Sequence, residues 1–269
     1  MNIAIFLANA AESHAARPAI SSGDELYCSY GELGRRVAKL AGGLQAQPFL
    51  KPGDRIGLAM SNCPQYLEIL FAIWHAGYCA VPTNARLHGR ELAFMLENCG
   101  AKYCFVSADI AEGLAAHCAS VPELEQLIVT GEKDYDRLVQ AEPVGMASLA
   151  AENPAWLFYT SGTTGKPKAA ILSHRNLAVM ALGYLADVDF LDETDCLIHL
   201  AAQSHASGLF ALSHIPRASH QIVPASGGFD IGELATLIAD NRKISFFVPP
   251  TLLRRLSVDG VMAALPLDH

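Results

Sequence analysis

The chain has 269 residues, of which 51% are hydrophobic and 17% are charged, a composition typical of a folded globular protein and not of a disordered one. This length allows one large domain or two smaller ones. The net charge of -8 argues against nonspecific binding to nucleic acid, which depends on Lys and Arg to neutralise phosphates. Seven cysteines without a C-x-x-C pair lie mostly among apolar residues, which indicates reduced core thiols in a cytoplasmic protein; a catalytic cysteine is the alternative.

The N-terminal part begins with predicted helices. Residues 3–11 are apolar and rich in alanine, and because no Lys or Arg precedes them we predict an amphipathic helix and not a secretory signal. Ser29 and Glu32 have the spacing of a capping box, and apolar residues at helical spacing follow them, which predicts a second helix. Asn62, with Pro64 in the first turn, is expected to cap the next helix.

Strands and helices then alternate along the chain. The predicted strands cover residues 56–60, 78–81, 103–107, 127–129, 156–159, 169–172, 196–200, 221–223 and 245–248. The predicted helices cover residues 62–74, 90–98, 110–119, 173–185 and 231–240. Such alternation predicts an α/β fold with layered α-β-α subdomains and largely parallel sheets. Residues 131–154 lack periodicity and are expected to be a surface connection.

Two long stretches without Asp, Glu, Lys or Arg approach the length of a membrane span. The first lies between Glu68 and Arg86, and the second covers residues 196–216. Histidine, glycine, proline and amide residues interrupt the first stretch, and glutamine, serine and three histidines interrupt the second. We therefore predict no membrane span.

Polar donors are concentrated in residues 159–168, which read YTSGTTGKPK. The two glycines allow backbone N–H groups to approach an anion closely, and the hydroxyls and lysines add further donors and positive charge. The loop is expected to leave a sheet edge at the end of an apolar strand and to hold a polyphosphate. The predicted phosphate ligands are Thr160, Ser161, Gly162, Thr163, Thr164, Gly165, Lys166 and Lys168.

This loop has two alternative interpretations. A P-loop has four residues between its glycines and Ser or Thr directly after its lysine, whereas here two residues separate the glycines and Pro167 follows Lys166. A P-loop also opens into a helix, but the next helix cap here is Ser173. The second alternative is a polar hairpin loop without a ligand. The coincidence of hydroxyls, glycines and lysines after one apolar strand favours the phosphate site.

The motif YTSGTTGKPK resembles the signature of the adenylate-forming enzymes, which include acyl-CoA and aryl-CoA ligases, luciferases and peptide-synthetase adenylation domains. Further matches follow the order used by such ligases, at residues 17–20, 30–33, 51–56, 76–82, 228–230 and 250–251. The resemblance covers essentially the whole chain and implies the N-terminal part of that fold. Residues 1–150 would form a first α/β unit, and residues 151–269 would hold the phosphate loop and the start of the acyl pocket, without the C-terminal lid domain.

The resemblance implies that a carboxylic acid is activated by ATP. The carboxylate attacks the α-phosphorus, pyrophosphate leaves, and the thiol of CoA attacks the acyl-adenylate, with Mg²⁺ as the usual helper. His205 and Gly208 resemble the motif that lines the acyl pocket in this family, although Ala202 replaces its usual proline. Pro250 and Thr251 resemble the wall of the acyl and pantetheine channel, with a proline-terminated strand as the alternative.

Several points of function stay open at the level of sequence. Ala169 stands where most members of the family have glycine, as in some aryl-CoA ligases, which hints at an aromatic acid. No residue matches the family's Mg²⁺-binding glutamate, ribose-binding aspartate or adenylation lysine, so the catalytic residues are unknown and full activity is not expected. Loading of a carrier protein, or nucleotide binding without catalysis, are the alternatives, and a homo-oligomer is possible.

The ten histidines are potential ligands of a metal ion. His199 and His205 are six residues apart, as are His214 and His220, which matches neither helical spacing nor that of a zinc finger. No metal site is predicted.

Overall fold

This computed structural model describes residues 1–119, 121–160 and 167–258 of the chain. The helices are α1 (Ile5–Ser13), α2 (Tyr30–Gln45), α3 (Gln65–Ala76), α4 (Gly89–Cys99), α5 (Ala108–Cys118), α6 (Lys133–Leu138), α7 (His174–Asp187), α8 (Ala206–His214), α9 (Ile231–Asp240) and α10 (Pro250–Val258). The strands are β1 (Pro18–Ser22), β2 (Glu25–Ser29), β3 (Arg55–Ala59), β4 (Cys79–Pro82), β5 (Ala101–Val106), β6 (Gln126–Val129), β7 (Pro154–Thr160), β8 (Lys168–Ser173), β9 (Cys196–Ile198), β10 (His220–Val223) and β11 (Ile244–Ser245). A short 3-10 helix, Ile215–Arg217, follows α8.

The strands form two sheets. The six-stranded sheet has the order β6-β5-β3-β4-β7-β8, and its neighbours are parallel except for the β7–β8 pair. The five-stranded sheet has the order β11-β9-β10-β1-β2, and its neighbours are parallel except for the β1–β2 pair. The predicted α/β class with largely parallel sheets is therefore confirmed. Each sheet takes strands from both sides of residue 150, so the predicted division there does not follow the sheets.

Two predicted helix starts are made by local side-chain contacts. The Ser29 hydroxyl accepts from the backbone N–H of Glu32 at 3.3 Å, and the Glu32 carboxylate accepts from the backbone N–H of Ser29 at 2.8 Å. Ser173 and Asn176 form the same reciprocal pair at the start of α7. These contacts satisfy backbone N–H groups that have no partner inside the helix. The spacing of Ser29 and Glu32 predicts the first pair, and the residue type of Ser173 predicts the start of α7.

The prediction that Asn62 caps α3 is wrong. The residue before this helix is Pro64, which makes no side-chain capping bond. The Asn62 side chain bonds instead to the loop that follows β9. The local pattern was misleading because a long-range partner takes the amide that a cap would use.

Other elements were missed or misplaced. The connection at residues 131–154 contains α6, whose Tyr135 and Leu138 are buried. The strand predicted at residues 245–248 is limited to Ile244–Ser245, and Pro250 occupies the first turn of α10, where its missing N–H costs nothing. β1, β2 and α8 have no counterpart among the predicted elements.

One apolar core joins the two sheets. Trp74 of α3 and Trp156 of β7 are fully buried, with ring centroids 6.1 Å apart. The same core cluster contains Ile20 of β1 and Leu197 of β9, from the other sheet. Because protein cores are packed to the density of organic crystals, this cluster holds the sheets in one relative position.

A buried carboxylate ties four elements together. Glu68 on α3 is fully buried, and its oxygens accept from the hydroxyls of Tyr27 and Tyr135, each at 2.9 Å. The guanidinium of Arg36 on α2 also donates to it, at 2.7 Å. A buried carboxylate with this many donors is stabilised as a structural group that connects β2, α2, α3 and α6.

The first uncharged stretch of the sequence folds into α3 and β4, and the second includes β9 and α8. Over residues 1–119, 121–160 and 167–258, no helix is long and apolar enough to cross a bilayer.

Candidate functional site

The loop predicted to bind phosphate connects the paired strands β7 and β8. Thr160 ends β7 and is the register partner of Lys168, the first residue of β8. Both residues are exposed. The two strands predicted around this loop are confirmed. The other six predicted ligands, Ser161, Gly162, Thr163, Thr164, Gly165 and Lys166, lie outside the described residues, and their role stays a prediction.

The hairpin tip lies at the carboxyl edge of the parallel strands. β7 pairs in parallel with β4, which in turn is parallel to β3, so Thr160 is at the edge where those strands end. The hydroxyl of Tyr159 donates to the Asn98 side chain at 2.7 Å and so fixes the end of β7 against α4. Ligands of open α/β sheets bind at this edge, and the tip is therefore positioned for one.

His205 lies against the strand that ends in the hairpin tip. Its ring centroid is 4.6 Å from that of Phe158 on β7, with the two planes tilted by 57°. The residue immediately precedes α8 and is exposed. Partial burial lowers the pKa of His205 below its ordinary value, which favours the neutral imidazole. It can therefore donate or accept a hydrogen bond beside an aromatic wall.

Gly208 is required by the path of the same loop. A Cβ at this position would lie 2.0 Å from the backbone oxygen of Gln203 and 3.4 Å from the ring of Trp156. Trp156 and Phe158 are two residues apart on β7 and share one face of the strand. The structure thus brings His205 and Gly208 together on that face of β7.

The loop between β9 and α8 is held by Asn62, which the sequence predicted as a helix cap. Asn62 donates to the backbone oxygens of His199 and Ala201 at 3.1 and 2.9 Å, and accepts from the backbone N–H of Gln203 at 2.8 Å. The backbone N–H of Cys63 donates to the Gln203 side chain at 3.0 Å. No local signal separates such a tether from a helix cap, since Asn suits both.

The base of this loop contains buried polar groups. His199 Nδ1 and Ser207 Oγ are 2.7 Å apart and fully buried. Burial lowers the pKa of His199 to about 3 and that of His214, on α8, to about 4, so both rings are neutral. These groups are therefore closed off from solvent.

Pro250 and Thr251 are less closely connected to the site. Both are exposed in the first turn of α10. Contact between this segment and α8 is made by Phe247, whose ring stacks on that of Phe210 at 5.3 Å. Their part in an acyl or pantetheine channel stays a prediction.

Cysteines and metal ligands offer no second centre in the described residues. All seven cysteines are free, and burial raises the pKa of the thiols of Cys28, Cys79 and Cys196 to about 12, which keeps them protonated. The described part of the chain contains no group of three or more His, Cys, Asp or Glu residues that could hold a metal ion.

Comparisons with known proteins match nearly the whole chain. The model of the family described as AMP-binding enzyme matches residues 7–268. Feruloyl-CoA synthase from an Amycolatopsis species is 34% identical over 236 residues, which are 85% of this chain and 45% of that protein. The inhibitor-bound N-terminal domain of FACL13 from Mycobacterium tuberculosis has a TM-score of 0.87 at 23% identity, over 97% of this chain and 66% of that chain. ATP-bound MatB from Rhodopseudomonas palustris has a TM-score of 0.83 at 26% identity, over 98% of this chain and 54% of that chain.

The chain therefore spans less than half the length of the feruloyl-CoA synthase that it resembles. The two solved structures share its fold over almost all of its residues.

Proposed function

Because this chain belongs to the AMP-binding enzyme family, we propose that it takes part in the ATP-dependent, AMP-forming activation of a carboxylic acid, followed by thioester formation with CoA. One observation supports this most directly. β7 ends at the carboxyl edge of a parallel sheet, directly before the run of hydroxyls, glycines and lysines in the sequence, and His205 and Gly208 lie against the same strand. A phosphate site and an acid site would thus adjoin.

The hairpin would act on the triphosphate. An oxygen of the acid forms a bond to the α-phosphorus, and the bond from that phosphorus to pyrophosphate breaks. The ammonium of Lys168 and the hydroxyl of Thr160, with the donors of residues 161–166, would bind the β- and γ-phosphates and stabilise the charge that grows on them. In the second step the CoA sulfur bonds to the acyl carbon, and AMP leaves.

The acid is proposed to be aromatic. The neutral imidazole of His205 and the ring of Phe158 form two adjacent flat surfaces against which an aryl group can pack. The feruloyl-CoA synthase similarity and Ala169, at the start of β8, point the same way. Aliphatic acids of similar length are the comparison that tests this preference.

Three further proposals concern the metal ion, the cellular compartment and the oligomeric state. Mg²⁺ is expected to accompany ATP, but the described residues offer no cluster of ligands for it, and no step is assigned to the ion. Seven free cysteines favour a reducing compartment such as the cytoplasm. Large exposed apolar side chains are frequent between Ile171 and Phe190, which is consistent with a homo-oligomer.

The test is exchange of labelled pyrophosphate into ATP in the presence of a panel of aromatic and aliphatic acids. The longest natural polypeptide that contains these residues should catalyse exchange with at least one acid, and addition of CoA should then release AMP. Release only with a phosphopantetheinyl carrier protein would identify a carrier-loading enzyme instead. ATP binding in calorimetry, without exchange for any acid, would favour a nucleotide-binding module.

A further inference from the structure

The two halves of the proposed site belong to different sheets. β7 and β8, with Thr160 and Lys168, belong to the six-stranded sheet, whereas the loop that contains His205 follows β9 of the five-stranded sheet. In-line attack requires the acid oxygen to lie about 3–3.5 Å from the α-phosphorus, and a misplacement of about 1 Å can lower the rate about 100-fold. The relative position of the two loops must therefore be held to within a fraction of an ångström.

Four hydrogen bonds between 2.8 and 3.1 Å join residues 62–63 to residues 199–203. The Asn62 side-chain amide acts as both donor and acceptor. The side-chain oxygen of Gln203 accepts from the backbone N–H of Cys63, which follows β3. We call this set of bonds the Asn62–Gln203 clamp. It is anchored three residues after the end of β3, in the sheet that also contains the hairpin.

The clamp is linked to His205 through packing and through the chain. Gln203 is fully buried, and its backbone oxygen lies where a side chain at position 208 would be. His205 follows two residues later and lies against Phe158. Because the backbone oxygen of Gln203 is in close contact with Gly208, movement of Gln203 would displace the start of α8 and, through the chain, His205.

We propose that Asn62 and Gln203 are positioning residues, which set the distance between the acid pocket and the phosphate loop by clamping the His205 loop to the carboxyl edge of the six-stranded sheet. The inference rests on the proposed function for its kinetic consequence. The clamp itself is a property of the fold and can be tested without activity.

Asn2 supplies a matched control. Its amide donates to the backbone oxygens of Trp74 and Ala147 at 2.6 and 3.2 Å, and it accepts from the backbone N–H of Ala4 at 3.0 Å. Asn2→Ala therefore removes the same number and kind of bonds as Asn62→Ala, but near the end of the β7–β8 pair that is opposite Thr160 and Lys168.

The kinetic experiment compares pyrophosphate exchange by Asn62→Ala, Asn2→Ala and the parent, in the longest natural polypeptide that contains these residues. Asn62→Ala should lower kcat/KM for the acid by about 10- to 100-fold while KM for ATP changes less than about twofold. Asn2→Ala should leave both constants close to the parent values. In a His205→Ala background, Asn62→Ala should have a much smaller additional effect on the acid. Equal losses for acid and ATP, or equal effects of the two asparagine variants, would overturn the positioning role.

Hydrogen exchange of the 269-residue chain provides the readout that is independent of activity. Asn62→Ala should increase amide exchange across residues 199–208, and the pKa of His205 measured by NMR should move towards its ordinary value. Asn2→Ala should change neither. If the parent shows no pyrophosphate exchange with any acid, the proposed function fails, but amide exchange still tests the clamp. Unchanged amide protection of residues 199–208 in Asn62→Ala would refute the clamp.

Discussion

Replacement of Gly208 by alanine directly tests how closely Gly208 packs against the loop that contains His205. The added Cβ would lie 2.0 Å from the backbone oxygen of Gln203, at least about 1 Å closer than side-chain carbons approach backbone oxygens. Overpacking of this kind costs about 1–3 kcal/mol, and the higher helix propensity of alanine offsets only about 0.5–1 kcal/mol of it. We therefore expect Gly208→Ala to lower the free energy of unfolding by about 1–2 kcal/mol.

The assay is equilibrium unfolding in urea followed by tryptophan fluorescence, since Trp156 lies beside Gly208. Gly183→Ala is the matched control, because Gly183 lies inside α7 and a Cβ there would meet no atom within 4 Å. This control should stabilise the protein by about 0.5–1 kcal/mol through helix propensity alone. If Gly208→Ala were as stable as the control, the close approach of Gln203 to Gly208 would not exist and the loop path described here would be wrong.

Three further predictions concern charge and protonation. Lys168→Ala should raise KM for ATP several-fold without a change in the urea midpoint. Lys51 is exposed before β3, at the amino edge of the same sheet, so Lys51→Ala should leave KM for ATP unchanged. Equal effects of the two substitutions would remove Lys168 from the mechanism. Glu68→Gln should destabilise the fold by about 1–3 kcal/mol in urea titrations, since it leaves Arg36 without its partner, and an unchanged midpoint would contradict this. His199 and His214 have folded-state pKa values below their unfolded value. The stability that these two neutral rings contribute is therefore complete above about pH 6.5 and falls by ~2 kcal/mol for each ring as the pH is lowered to about 4.5. Urea midpoints that stay constant over this pH range would refute this prediction.

The sequence was sufficient for features that depend on a few neighbouring residues. The capping box at Ser29 and the helix cap at Ser173 formed as predicted, because their partners are three residues away and share one turn of helix. The strands on both sides of residues 161–166 were also predicted, since a short apolar run bounded by glycines and hydroxyls has few other local solutions. The motif itself led to the family that the whole-chain match confirms.

The tertiary structure decided which distant segments meet. Asn62 looks like a helix cap in the sequence, but its partners are 137 to 141 residues away. β1 pairs in parallel with β10 across about 200 residues, and neither β1 nor β2 was recognised from its own residues. Local patterns report backbone preferences over one turn or one strand, whereas pairing of distant segments depends on which of many similar apolar faces pack together best. For that reason the chemistry of the loop could be read in the sequence, but the strand that Gly208 and His205 share could only be seen in the fold.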